Sequence, residues 1–181
     1  MDAKEIPPRI LLEGRPGVGK TTVLRRSVER LRAVGVSVAG FTTEELREGG
    51  RRVGFAVEQV DGGRGVLAHV HLPGPPRVGR YGVDLASFER IALPSLETRA
   101  DVVVVDELGK MELASPAFRE AVTELFDGDR SIVATVHAFR HPITDALKRR
   151  GDVELVRVTE RNRDALPEEL TARLRDTIRR A

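Results

Sequence analysis

Cysteine is absent from the 181 residues, tryptophan is absent too, and there are only one tyrosine and two methionines. Without a thiol there can be no disulfide framework, no thiolate metal site and no cysteine nucleophile. Long apolar runs are missing as well. The densest is Val102-Val103-Val104-Val105, far short of the roughly 20 residues that span a bilayer. Residues 1–8 mix acidic and basic side chains with no apolar stretch, so no secretory signal is read there. A cytoplasmic location and no membrane partner are the expectation. Charge of one sign is also lacking, with 30 basic against 28 acidic residues and a formal net charge of +2, although the sequence pI is 9.4. Of the basic residues 26 are arginine, scattered in pairs such as Arg25-Arg26, Arg51-Arg52, Arg149-Arg150 and Arg179-Arg180 among Glu and Asp. A nucleic-acid footprint would be a one-sided stripe, whereas this pattern reads as an ion-paired, solvated surface, so nucleic acid is not an expected partner. Many Arg and Glu with little Met or Asn are compatible with heat tolerance.

What is present is a 40% hydrophobic fraction, enough for the core of one domain. Short aliphatic runs alternate with longer helical patterns, the rhythm of βα units in a parallel sheet. Strands are predicted at residues 9–13, 36–41, 101–106, 131–136 and 153–158. Residues 19–34 carry a helical apolar face at Val23, Leu24, Val28 and Leu31, stopped by Gly35. Further helices are predicted from the Asp84 cap to about Arg99, with Pro94 expected to kink or split it, from Ser115-Pro116 to Gly128, over 141–150 and over 167–180. Runs 53–60 and 65–71 flank Asp61-Gly62-Gly63 and predict an antiparallel hairpin inserted into the rhythm. Residues 72–82 (LPGPPRVGRYG) read as an irregular surface loop. Repeats, low-complexity tracts and linkers are absent. One α/β domain is expected over residues 1–181, with the insertion at about 45–82.

Two motifs carry chemistry. Gly14-Arg15-Pro16-Gly17-Val18-Gly19-Lys20-Thr21 matches G-x-x-x-x-G-K-[ST] between a strand and a helix. Glycines let backbone N–H groups curl around a phosphate, and the helix N-terminus favours the anion. Lys20 would reach the β- and γ-phosphates of a nucleotide, and Thr21 would ligate Mg²⁺, with Thr22 following. The second motif is Asp106-Glu107 at the end of the Val102–Val105 run, with Leu108 and Gly109 beyond it. Ligands of doubly wound sheets lie outside such strand ends. Asp106 would hold Mg²⁺ and Glu107 would orient and deprotonate the attacking water. The Asp-Glu order is common in hydrolysing ATPases, whose extra strand beside the phosphate-loop strand gives the sheet order 5-1-4-3-2. Thr135 or His137, ending the fourth predicted strand, would then sense the γ-phosphate, or His137 would cap or pack.

With these residues in view, the chain resembles the thermophilic nucleoside-triphosphatase family, whose animal members are called cancer-related nucleoside-triphosphatase. The matching segments are GRPGVGKTT, GFTTEELREGGRRVGFAV, VGRYGVDLASFE, VVVVDELGKMEL and TERNRDALP, in the family's order over most of the chain. The resemblance implies a RecA-like P-loop NTPase fold with a mainly parallel central sheet. It implies hydrolysis of ATP, GTP, CTP and UTP to the diphosphate, with broad base tolerance and slow turnover. It marks Glu44, Glu45, Arg47, Gly109, Lys110, Glu112, Asn162 and Arg163 as family features. Family members often carry Thr-Ile-Pro where this chain has Thr135-Val136-His137, a departure that weakens any role assigned to His137.

Lys110, just past the acidic pair, or Arg47, as an arginine finger in cis, would stabilise charge on the γ-phosphate; salt bridges to nearby Glu are the alternative for both. Asn162 and Arg163 follow the fifth predicted strand, where a loop can reach the base. Arginine stacking tolerates many bases, and no Asn-Lys-x-Asp guanine-reading motif occurs. Tyr81 and Phe55 either cover the site or pack in the core. A kinase using the same loop, and a nucleotide-dependent switch, are the competing readings. A monomer is expected.

Overall fold

The computed structural model describes residues 6–179. Residues 1–5 of the leader reading, and Arg180 of the last arginine pair and last predicted helix, lie outside the described residues. In chain order the elements are β1 (Arg9–Glu13), α1 (Lys20–Ala33), β2 (Val38–Glu48), β3 (Arg51–Gln59), β4 (Arg64–His69), β5 (Arg77–Val78) and β6 (Tyr81–Val83). There follow α2 (Leu85–Glu97), β7 (Val102–Leu108), α3 (Pro116–Asp127), β8 (Ser131–Val136), α4 (Pro142–Lys148), β9 (Glu154–Arg157) and α5 (Leu166–Ile178).

All strands form one sheet in the order β5-β6-β4-β3-β2-β7-β8-β1-β9. From β2 to β9 the neighbours are parallel, and this half carries the predicted order 5-1-4-3-2. Side chains alternate across a strand, which sorts the aliphatic runs between two cores. Val102 and Val104 of β7, with Ile10, Leu12 and Val133, pack under Val23, Leu24 and Leu31 of α1 and Leu170 and Leu174 of α5. Val103 and Val105, with Leu11, Ile132 and Ala134, face Phe88 of α2 and Phe118 and Val122 of α3. There Phe41, Phe88 and Phe118 meet edge to face, with ring centroids 5.0–5.7 Å apart. Burying both faces explains why the central strands read as unbroken apolar runs.

Three expectations need correction. The second strand does not stop near Phe41 but runs to Glu48, turns at Gly49-Gly50 and pairs antiparallel with β3. Its outer half is a polar ribbon, with Glu45 bound to Arg52 and Glu44 to Arg64 across the sheet. Charge pairing replaces apolar alternation there, so the strand period is not visible in hydrophobicity. Residues 72–82 are not wholly irregular, because β5 and β6 form a short hairpin that extends the sheet. Proline 94 does not split its helix. It sits in the last turn, where its missing N–H forfeits only one backbone bond, and Asp84 caps the other end by accepting from Ser87 N–H at 2.8 Å.

One close approach fixes the seam between β2 and β7. Gly40 has φ +108°, and a Cβ there would lie 1.9 Å from the Val104 carbonyl oxygen, so only glycine fits. Among the described residues no helix is long and apolar enough to cross a membrane.

Candidate active site

The parallel strands β1, β7 and β8 end side by side, and the chain leaves each into a loop at the same edge. After β1 comes the glycine loop. Gly17 and Gly19 have φ +77° and +111°, values that side chains disfavour, and Gly19 is the N-cap of α1. Gly14 is tight for a different reason: a Cβ would lie 2.9 Å from both the Val158 carbonyl oxygen and Val18 Cγ1. Lys20 is buried and folds back, its Nζ donating to the Gly14 carbonyl at 2.9 Å with the Arg15 carbonyl at 3.4 Å. Val18 is buried, while Arg15, Pro16, Gly17 and Thr22 are exposed, and Arg15 pairs with Glu160.

Asp106 ends the apolar part of β7 and is 1% exposed. Its Oδ1 accepts from the hydroxyls of Thr135 at 2.6 Å and Thr21 at 3.1 Å. Its Oδ2 accepts from Thr43, at 3.2 Å from the backbone N–H and 3.1 Å from the hydroxyl. Three elements thus converge on one carboxylate. Burial raises its pKa, the Thr135 hydrogen bond opposes the rise, and the neighbouring charge of Glu107 adds to it. Val102, Val103, Val104 and Val105 are wholly enclosed in the two cores, as is Leu108. Their expected place in nucleotide binding is corrected accordingly: they hold Asp106 in position and present no surface to a ligand.

Glu107 points elsewhere. Its Oε1 lies 2.5 Å from Nε2 of His137, the first residue after β8, and both side chains are partly exposed. Gly109 packs against this pair, since a Cβ there would lie 2.7 Å from Glu112 Oε2, 3.1 Å from His137 Cδ2 and 3.2 Å from Glu107 Cγ. Glu112 is 4% exposed. Burial, then the charges of Glu107 and Asp106, push its carboxyl well above the usual range, opposed by hydrogen bonds from its own N–H and that of Gly109. Lys110 is exposed, with Nζ 5.0 Å from the centre of the Phe139 ring.

The remaining predicted residues lie apart from this cluster. Arg47 is at the β2–β3 turn, bound to Glu45 at 2.5 Å and to the Gly50 carbonyl at 3.0 Å. Asn162 accepts from the Thr159 N–H at 2.8 Å and donates to the Arg157 carbonyl at 2.8 Å, so its amide braces the turn before α5. That turn carries Arg163, which reaches the phosphate loop and donates to the Val18 carbonyl at 3.2 Å. Phe55 and Tyr81 pack edge to face at 5.4 Å beside Arg52, in the antiparallel half of the sheet. Sequence reasoning gave no role to Thr43 or to the burial of Glu112. The signal for Thr43 was its position just after the Gly40-Phe41 strand segment, and for Glu112 a charge inside an apolar Met111-Glu112-Leu113 run.

Residues 9–171 match the protein family described as NTPase. The chain is 42% identical over 170 residues to the nucleoside-triphosphatase THEP1 of a Thermotoga species, covering 92% of this chain and 95% of that protein. It is 42% identical over 174 residues to the human cancer-related nucleoside-triphosphatase, covering 87% of this chain and 91% of that one. The crystal structure of THEP1 from the hyperthermophile Aquifex aeolicus superposes with a TM-score of 0.83 at 35% identity, over 92% of this chain and 98% of that one. A phosphate loop beside a threonine-bound Asp106 thus sits in a chain that belongs to the nucleoside-triphosphatase family.

Proposed function

We propose that this chain hydrolyses ATP, GTP, CTP and UTP to the diphosphate and inorganic phosphate, as a slow, base-tolerant enzyme. The observation that carries this reading is the separation of two adjacent carboxylates. Asp106 is enclosed by Thr21, Thr43 and Thr135, while Glu107 turns away to His137 and keeps access to solvent. One carboxylate is built to be held still and its neighbour to exchange a proton.

The oxygen donors fit Mg²⁺. Thr21 Oγ1 and Asp106 Oδ1 are 3.1 Å apart at the mouth of the phosphate loop. When bound there, the ion would neutralise charge on the β- and γ-phosphates. A cation would also counter the burial that raises the Asp106 pKa. Lys20 would exchange its contacts to the Gly14 and Arg15 carbonyls for phosphate oxygens. Glu107 would take the proton of the attacking water.

Lys110, two residues beyond β7, is the favoured cation for γ-phosphate charge, because Arg47 is bound to Glu45 and Gly50. Arg163 beside the phosphate loop offers a planar face that any base can stack on. Asn162 acts by bracing that turn. The enzyme would act as a monomer in the cytoplasm, with free nucleotides and no nucleic acid as partners.

Glu107→Gln tests the base assignment. Nucleotide affinity should stay within a few-fold while turnover falls by about a hundredfold or more. Turnover at the wild-type rate would remove Glu107 from the mechanism.

A further inference from the structure

The side chain of Glu107 has a polar contact with His137, and the two residues sit at the ends of neighbouring strands, Glu107 in the last two residues of β7 and His137 just past β8. His137 is itself constrained from three directions. Its carbonyl oxygen accepts from Lys148 Nζ at 3.2 Å, and the same ammonium is 2.5 Å from Glu13 Oε1 at the end of β1, one residue before the phosphate loop. Its ring lies 5.2 Å from that of Phe139, over which Lys110 is placed. A Cβ on Gly109 would lie a tight 3.1 Å from His137 Cδ2 and 3.2 Å from Glu107 Cγ, so this glycine packs closely against the pair. The imidazole is therefore held by packing and by a backbone anchor, and it meets one of two carboxylate oxygens.

From this geometry we infer that His137 is a positioning residue for hydrolysis, fixing Glu107 by Oε1 so that Oε2 is aimed at the attacking water. The inference rests on the reading of Glu107 as the base. A glutamate has three side-chain torsions, and one fastened oxygen removes most of that freedom before substrate arrives. Loss of such a support misplaces the base by a fraction of an ångström to an ångström, which is enough to slow a proton transfer substantially without altering nucleotide binding. Lys148, at the end of α4, serves the same arrangement by tying the exits of β1 and β8 together.

The test compares His137→Ala, His137→Gln and His137→Asn for kcat and KM, with thermal unfolding as the folding control. The glutamine amide nitrogen reaches about as far as Nε2, whereas the asparagine amide nitrogen reaches only as far as Nδ1. Alanine and asparagine should lower kcat about tenfold or more with KM within about twofold, and glutamine should recover most of the loss. In a Glu107→Gln background, His137→Ala should cause no further loss, because the group it positions is already gone. A wild-type kcat in His137→Ala, a loss carried by KM, or no recovery with glutamine would each overturn the positioning role. If Glu107→Gln itself turns over at the wild-type rate, the base reading fails first, and that outcome is distinct from a failure of His137 alone.

Discussion

Thr135 donates to Asp106 at 2.6 Å, joining the end of β8 to a carboxylate that is 1% exposed on β7. This is the shortest of the hydrogen bonds that hold Asp106, and it opposes the rise in pKa that burial causes. Thr135→Val keeps the shape and removes the donor. We expect a loss of about 1–3 kcal/mol in stability, as for a buried acceptor left short of a partner. Turnover should also need more Mg²⁺, because a less readily ionised Asp106 is a poorer ligand. Thermal unfolding and a Mg²⁺ titration of phosphate release measure both. An unchanged Mg²⁺ requirement would detach Thr135 from the metal site.

Gly109→Ala probes packing around the base. The added methyl would lie 2.7 Å from Glu112 Oε2, closer than real contacts allow, and a tight 3.2 Å from Glu107 Cγ. Overpacking of this kind costs about 1–3 kcal/mol. Because the groups displaced are Glu107 and its neighbours, kcat should fall by about tenfold or more while the nucleotide Kd is retained. Normal kcat with reduced stability would place the strain elsewhere.

Lys110 and Arg47 separate two readings of the charge that assists phosphoryl transfer. Removal of a cation aimed at developing charge slows turnover by about 10- to 1000-fold. An exposed ion pair contributes about 0–1 kcal/mol and nothing to chemistry. Lys110→Ala is therefore expected to fall in the first range, and Arg47→Ala to stay within about threefold of wild type. The reverse order would mean that the β2–β3 turn swings onto the nucleotide.

Much of the architecture was legible because both faces of the central sheet are buried. Unbroken runs such as Val102–Val105 can then be only core strands, and the glycine loop and acidic pair mark their ends. The antiparallel half was read less well. Strand β2 beyond Phe41 is stabilised by Glu45–Arg52 and Glu44–Arg64 pairs, and charged pairs across a ribbon leave no hydrophobic period to detect. At the site, single positions with a clear chemical type, namely Lys20, Thr21, Asp106 and Glu107, could be nominated from the sequence. What was missed depends on contacts distant in sequence: Thr43 on Asp106, 63 residues away, and Glu107 on His137.

A charge network away from the site is expected to contribute to acid stability. Asp152 binds Arg150 at 2.8 Å and the buried Arg9 at 2.8 Å, tying the α4–β9 connection to the start of β1. The Arg150 hydrogen bond lowers the Asp152 pKa to about 2. A carboxyl lowered on folding adds stability above its unfolded pKa, and that stability is lost as pH falls through the folded value. Asp152→Asn should cost about 1–2 kcal/mol near neutral pH, and the difference from wild type should shrink between about pH 4 and about pH 2. Urea unfolding at several pH values measures it. A difference independent of pH would assign the effect to packing.

The central claim is hydrolysis without an acceptor, and phosphate release tests it most directly. The protein is incubated with Mg²⁺ and each of ATP, GTP, CTP and UTP, and the products are separated. Inorganic phosphate and the diphosphate are expected from all four bases, abolished by EDTA. Tight nucleotide binding with no release over hours would contradict it.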